Sequence, residues 1–113
     1  MILETIEVGG CRSYIIGCPK TLAAAVIDPE ISATDRYRGL ATKHGLAIRY
    51  CIDTHTHADH FSAAREIARA LGAQVVMSHL SPAPYVDLRL DDGDMLIVGD
   101  LRLQAMSTPG HTA

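Results

Sequence analysis

Cys51-Ile52-Asp53-Thr54-His55-Thr56-His57-Ala58-Asp59-His60 joins a strand-like pattern to a helix-like one. Upstream, residues 46–53 read as a strand, with Ile48, Tyr50 and Ile52 on one face and Arg49 and Cys51 on the other. Downstream, Phe61, Ala64, Ile67, Ala68 and Leu71 recur at helical spacing until Gly72, with Arg65, Glu66 and Arg69 on the solvated side. Three of the chain's six histidines and an aspartate fall between the two patterns. Open α/β sheets place their sites there, outside the carboxyl ends of strands.

Working outward, the same alternation of periods holds. Residues 2–8 and 13–16 read as strands around the Gly9-Gly10 turn, and Leu22 to Ile27 as a third that Asp28-Pro29 stops. Short links between them predict an antiparallel meander. From Thr34 or Asp35 as N-cap, Tyr37, Leu40 and Ala41 follow a helical spacing that ends at Gly45, with His44 as a C-terminal histidine facing the helix dipole. Val75 to Met77 form a short strand. A loop with Pro82 and Pro84 and an Asp91-Asp92-Gly93-Asp94 turn follow. Met95 to Val98 and Leu101 to Ala105 then pair across Gly99-Asp100. The order βββ-α-β-α-β-ββ predicts one α/β layered domain over residues 1–113 with a mixed sheet.

Composition narrows the setting. A net charge of −3, with acidic residues dispersed, gives no nucleic-acid surface. Cys11, Cys18 and Cys51 form no C-x-x-C pair or disulfide framework and read as buried or free thiols of a reducing compartment. There is neither a signal-peptide pattern nor an apolar run of spanning length, so the expected location is cytoplasmic.

The histidine cluster carries the chemistry. Imidazole and carboxylate hold divalent transition metals at neutral pH. His55, His57 and Asp59 are spaced by two, as along one face of an extended segment, so His55 and His57 can share a metal. Asp59 and His60, aimed differently, suit a second metal or proton transfer. A catalytic metal usually has three protein ligands and an open position. His111, after Thr108-Pro109-Gly110, supplies the third. His79 reads as a loop residue able to line a substrate cleft. Arg12 and Tyr14 could reach one, but read first as surface and core residues.

These residues resemble the metallo-β-lactamase superfamily, whose hallmark HxHxDH is met at 55–60 and whose later Gly-His is met at Gly110-His111. The meander, the Asp28-Pro29 strand end and the helix before the motif strand also fit. The resemblance implies an αββα sandwich, of which this chain is similar to the N-terminal half. The wording of residues 54–60 and of Ser107 to Thr112 looks most like the persulfide dioxygenases. That likeness implies Fe(II) held by two histidines, at the positions of His55 and His111, and an aspartate. It also implies oxidation of glutathione persulfide-type substrates toward sulfite. Hydrolytic relatives of the glyoxalase II type imply zinc instead, with His55, His57 and His111 at one site and Asp59 and His60 at a second. A thioester or lactam carbonyl would then be attacked. In the family a further Asp ligand follows the Gly-His-Thr, beyond Ala113 here. A truncated metal-binding half-domain without catalysis is therefore a third reading. A homodimer, or another assembly that completes the half-sandwich, is expected with it.

Overall fold

The computed structural model describes residues 1–54, 58–78 and 86–105, and of residues 58–63 the helical backbone. Strands β1 (Ile2–Val8), β2 (Cys11–Gly17) and β3 (Ala23–Ile27) form the expected antiparallel meander. A 3-10 turn at Ile31–Ala33 leads into α1 (Thr34–His44). Strand β4 (Ala47–Ile52), helix α2 (Ala58–Leu71), strand β5 (Gln74–Ser78) and strand β6 (Leu88–Leu90) follow. From β3 to β6 every neighbour is parallel, so six strands lie in sequence order in one mixed sheet. Strands β7 (Met95–Val98) and β8 (Leu101–Gln104) form a separate hairpin.

Two apolar layers hold this arrangement. On one face of the sheet, Ile6, Ile15, Val26, Ile48, Cys51 and Met77 pack with Tyr37 of α1 and Ala64, Ile67 and Ala68 of α2. On the other, Ala25, Val76, Tyr50 and Ile52 pack with Leu96, Val98, Leu101 and Leu103 of the hairpin. The helices therefore cover one face and the hairpin the other. The Tyr37 hydroxyl, drawn into the core, lies 2.8 Å from Ser13 Oγ and accepts the Glu30 N–H at 2.8 Å, so burial leaves it paired.

Four local expectations are corrected. Ile48, Tyr50 and Ile52 do not share a face. The β3–β4 ladder pairs Ala24 with Ile48 and Ala25 with Tyr50, so Arg49 is an extra residue and the phase changes at it. Cys51 is thereby buried on the helix side. Helix α1 is capped by Ala33 without a side-chain bond, and the Thr34 hydroxyl donates to the Ile31 carbonyl at 2.8 Å. Helix α2 begins at Ala58, so Asp59 and His60 lie in its first turn, not in the loop before it. Strand β6 was expected as loop; the Val75 N–H donates to Asp87 Oδ2 at 2.7 Å and holds its approach to β5.

Candidate metal centre

The carboxyl ends of β3, β4, β5 and β6 lie along one edge of the sheet, and the chain is fastened there strand by strand. The Asp28 N–H donates to the Ile52 carbonyl at 2.7 Å, and the Asp53 N–H to the Val76 carbonyl at 3.0 Å. The Asp28 carboxylate then accepts the Thr54 N–H at 2.8 Å and the Thr54 hydroxyl at 2.8 and 2.7 Å. Thr54, the residue before His55, is held through both its N–H and its hydroxyl by one carboxylate. Asp28 adopts φ +54° to do this, a left-handed conformation that aspartate and asparagine tolerate better than most residues.

The second approach comes from the hairpin. Leu90, the last residue of β6, is level with Ser78 at the end of β5, and the Asp91–Asp94 turn follows it directly. Across that turn the Gly93 N–H donates to the Ala105 carbonyl at 2.7 Å, and the Ala105 N–H to the Asp94 carbonyl at 2.8 Å. Ala105 is thus tied to the same carboxyl edge. At the opposite edge, Gly99 in the hairpin turn packs on Cys18 and Thr21, just ahead of β3. Strand β8 accordingly runs from the far edge to the edge that holds Thr54.

The ligand candidates His55, His57 and His111, the side chains of Asp59 and His60, and His79 lie outside the described residues. The structure does place the chain just before His55, at Thr54, and Ala105, six residues before His111, on one edge. Imidazoles and a carboxylate carried by two segments rooted at one edge suit a borderline divalent cation such as iron or zinc. Asp59, in the first turn of α2, also suits the positive end of the helix dipole.

Sequence reading missed part of this region. Asp28 was legible only as a strand stop, because its bond to Thr54 spans 26 residues. Arg12 and Tyr14 do line a cleft, with Cys11, Asp28, Pro29 and Glu30. Cys51 and Cys18 have thiols shifted in opposite directions. Burial pushes the Cys51 thiol up to about 12, so it stays protonated at neutral pH. At the far edge, Cys18 is brought down to about 7 by the Thr21 hydroxyl and then by the backbone N–H groups of Asp100, Thr21 and Lys20. Those bonds outweigh its burial.

Comparison with known proteins decides the family. The pattern of the metallo-beta-lactamase superfamily matches residues 6–113. The chain belongs to the metallo-beta-lactamase superfamily. It is 36% identical over 114 residues to the human mitochondrial persulfide dioxygenase ETHE1, which covers 99% of this chain and 44% of the human protein. It is 34% identical over 120 residues to the hydroxyacylglutathione hydrolase of Polaromonas sp. strain JS666, again over 99% and 44%. ETHE1 from Myxococcus xanthus superposes with a TM-score of 0.88 at 32% identity, over 99% of this chain and 50% of that one. The chain therefore spans about half the length of these relatives, and its helix-sheet-hairpin layers are the N-terminal half of the metallo-β-lactamase fold.

Proposed function

We propose that the chain carries the metal-binding half of a persulfide dioxygenase-like enzyme acting on small-molecule thiols such as glutathione persulfide. The observation that supports this reading is the fastening of Thr54 and Ala105 to one sheet edge, so that the chain entering the 55–60 cluster and the chain leading toward His111 both start from that edge. His55, His57, Asp59, His60 and His111 are the proposed donors, with Asp59 and His60 also candidates for proton transfer. Fe(II) bound there would supply open coordination positions for sulfur and oxygen chemistry. In the reaction, the outer sulfur of the persulfide loses four electrons to O₂. With one water consumed, the products are the free thiol and sulfite. The chain's own part is to orient the donors through Asp28 and Thr54 and to hold the rest of the substrate at the same edge. We place this activity in the cytoplasm.

Identity of 34% to a hydroxyacylglutathione hydrolase supports a second reading, a zinc-dependent thioesterase. Metal analysis of protein purified without added metal separates the two. Iron, with oxygen uptake on glutathione persulfide, is the expected result. Zinc with thioester cleavage supports the second reading, and absence of stoichiometric metal supports a non-catalytic half-domain. Self-association belongs to the same proposal, because Met95 and Ile97 stand 53% and 52% exposed on β7. Sedimentation as a monomer at micromolar concentration would remove that part.

A further inference from the structure

The cleft beside the candidate metal edge holds a feature that the proposed chemistry does not use. Its volume is about 450 Å³, within the size range of small-molecule pockets. It lies between the Gly10 turn and the end of β3, lined by Arg12, Tyr14, Asp28 and Glu30 among others. Strand pairing fixes where it sits relative to the metal edge. Tyr14 pairs with Ile27, and Ile27 with Ile52, so Tyr14 is level with Ile52. Strand β2 runs antiparallel to β3, so Arg12, two residues earlier, is level with Thr54. Two strand spacings separate them, about 10 Å.

The electrostatics of the lining single out Arg12. The Asp28 carboxylate is engaged by Thr54. Glu30 accepts the Ser32 N–H at 2.8 Å and the Ser32 hydroxyl. Among the described residues lining the cleft, Arg12 is the one cation. Its Nε contacts Glu7 Oε1 at 3.0 Å, with both side chains more than 60% exposed. Such an exposed pair is weak and exchanges readily. A guanidinium has five N–H donors, so Glu7 on the Nε side leaves donors for a planar carboxylate. Another cleft, of about 500 Å³ between the C-terminal ends of α1 and α2, includes Arg38 and Arg49. It opens at the opposite edge, where helix C-terminal carbonyls disfavour an anion.

We propose that Arg12, against the wall formed by Tyr14, is the carboxylate-recognition residue for a small peptide thiol whose sulfur lies at the Thr54 edge. An extended tripeptide is about 10 Å long, so a thiol on its middle residue lies within that distance of a terminal carboxylate, and the long Arg12 side chain covers the rest of the separation derived from the strand register. This inference rests on the thiol-substrate reading above and adds a residue that sets which thiols are accepted.

The test is calorimetric titration of the metal-loaded chain with S-methylglutathione, a thioether that cannot react, and with its dimethyl ester, which lacks both carboxylates. The wild-type chain is expected to bind the acid at least tenfold more tightly than the ester. Arg12→Ala should bind the acid about tenfold more weakly and lose the discrimination, as expected when a charge-assisted contact is removed. Arg12→Lys should restore part of it, because charge remains and the planar fork is lost. Arg12 is largely exposed, so its thermal transition should be unchanged. Equal binding of acid and ester by both proteins would overturn the proposal. So would no binding by the wild type at roughly 10 mM, an affinity too weak for specificity. Metal content measured on the same samples keeps the two readings apart: loaded metal with an indifferent Arg12→Ala sinks only the carboxylate subsite, whereas no metal sinks the thiol-enzyme reading itself.

Discussion

At Asp28 three demands meet in one side chain. The residue ends β3 ahead of Pro29, takes a positive φ, and receives both donors of Thr54. Glycine would meet the backbone demand and lose the carboxylate; valine would fail both. Asparagine would keep the backbone and one acceptor oxygen but remove the charge and the second oxygen. Asp28→Asn is therefore expected to fold normally by circular dichroism and to bind Zn(II) or Fe(II) roughly ten- to a hundredfold more weakly, as for other residues that orient metal ligands. Unchanged affinity in a competition titration would mean that the Thr54 clamp does not orient the cluster. Glu4 and His44 make a second residue-level case. His44 was expected to serve the dipole of α1; its Nε2 also lies 3.0 Å from Glu4 Oε2, joining α1 to β1. That hydrogen bond holds the Glu4 carboxyl below its ordinary value of 4.5. A carboxyl lowered by folding contributes stability above its unfolded pKa and loses it as pH falls through the folded one. Glu4→Gln should therefore melt below the wild type at pH 7, and the two should converge as pH drops below about 4.5. Parallel melting curves at every pH would contradict this.

Elements were legible where their periodicity was long and local. The β1–β2 hairpin, the Gly45 end of α1 at φ +69° and the β7–β8 turn were all readable from spacing and turn residues. Strand β6 was not, because three residues give too short an alternation and Asp87, which guides it, acts through a bond to β5. Strand β4 was found but its faces were misassigned, since a bulge depends on the partner strand and leaves no mark in the strand's own pattern. Of the candidate site, the proposed donors stand out as a motif and lie outside the described residues, whereas the Asp28 clamp and the position of Arg12 depend on contacts between distant segments. The bulge gives a prediction of its own. Removing Arg49 would leave Ile48 next to Tyr50, opposite the adjacent residues Ala24 and Ala25. Every later side chain would keep its present face, and the parallel ladder would become continuous. A chain lacking Arg49 should thus fold with stability within about 1 kcal/mol of the wild type, far less than a core disruption costs. Loss of cooperative unfolding in urea would show that the bulge is required for the sheet itself.

At the scale of the molecule, the hairpin connects the two edges of the sheet. It spans the face opposite the helices, seats its turn on Cys18 and Thr21 at one edge, and delivers Ala105 to the other. The seat is close: a Cβ on Gly99 would overlap Thr21 Oγ1 and stand 2.9 Å from Cys18 Cβ, and the residue has φ +61°. Alanine there meets backbone strain and a steric clash together; the Thr21 hydroxyl can turn aside, but the 2.9 Å approach to Cys18 Cβ is relieved by moving the hairpin and the Cys18 segment apart. Gly99→Ala is expected to cost about 2 kcal/mol or more in unfolding free energy. It should also weaken metal binding, although Gly99 lies at the edge remote from Thr54, because the shift travels along β8 to the root of the His111 segment. Gly93→Ala, at φ +90° in an open turn with nothing within 4 Å of the added carbon, provides the comparison. It strains the backbone without pushing the hairpin off the sheet, so it should lower stability while leaving metal affinity nearer the wild-type value. If both substitutions change affinity in proportion to stability alone, the hairpin does not act as the bridge between the two proposed ligand segments. A disproportionate loss of affinity in Gly99→Ala would tie assembly of the metal centre to docking at the opposite edge.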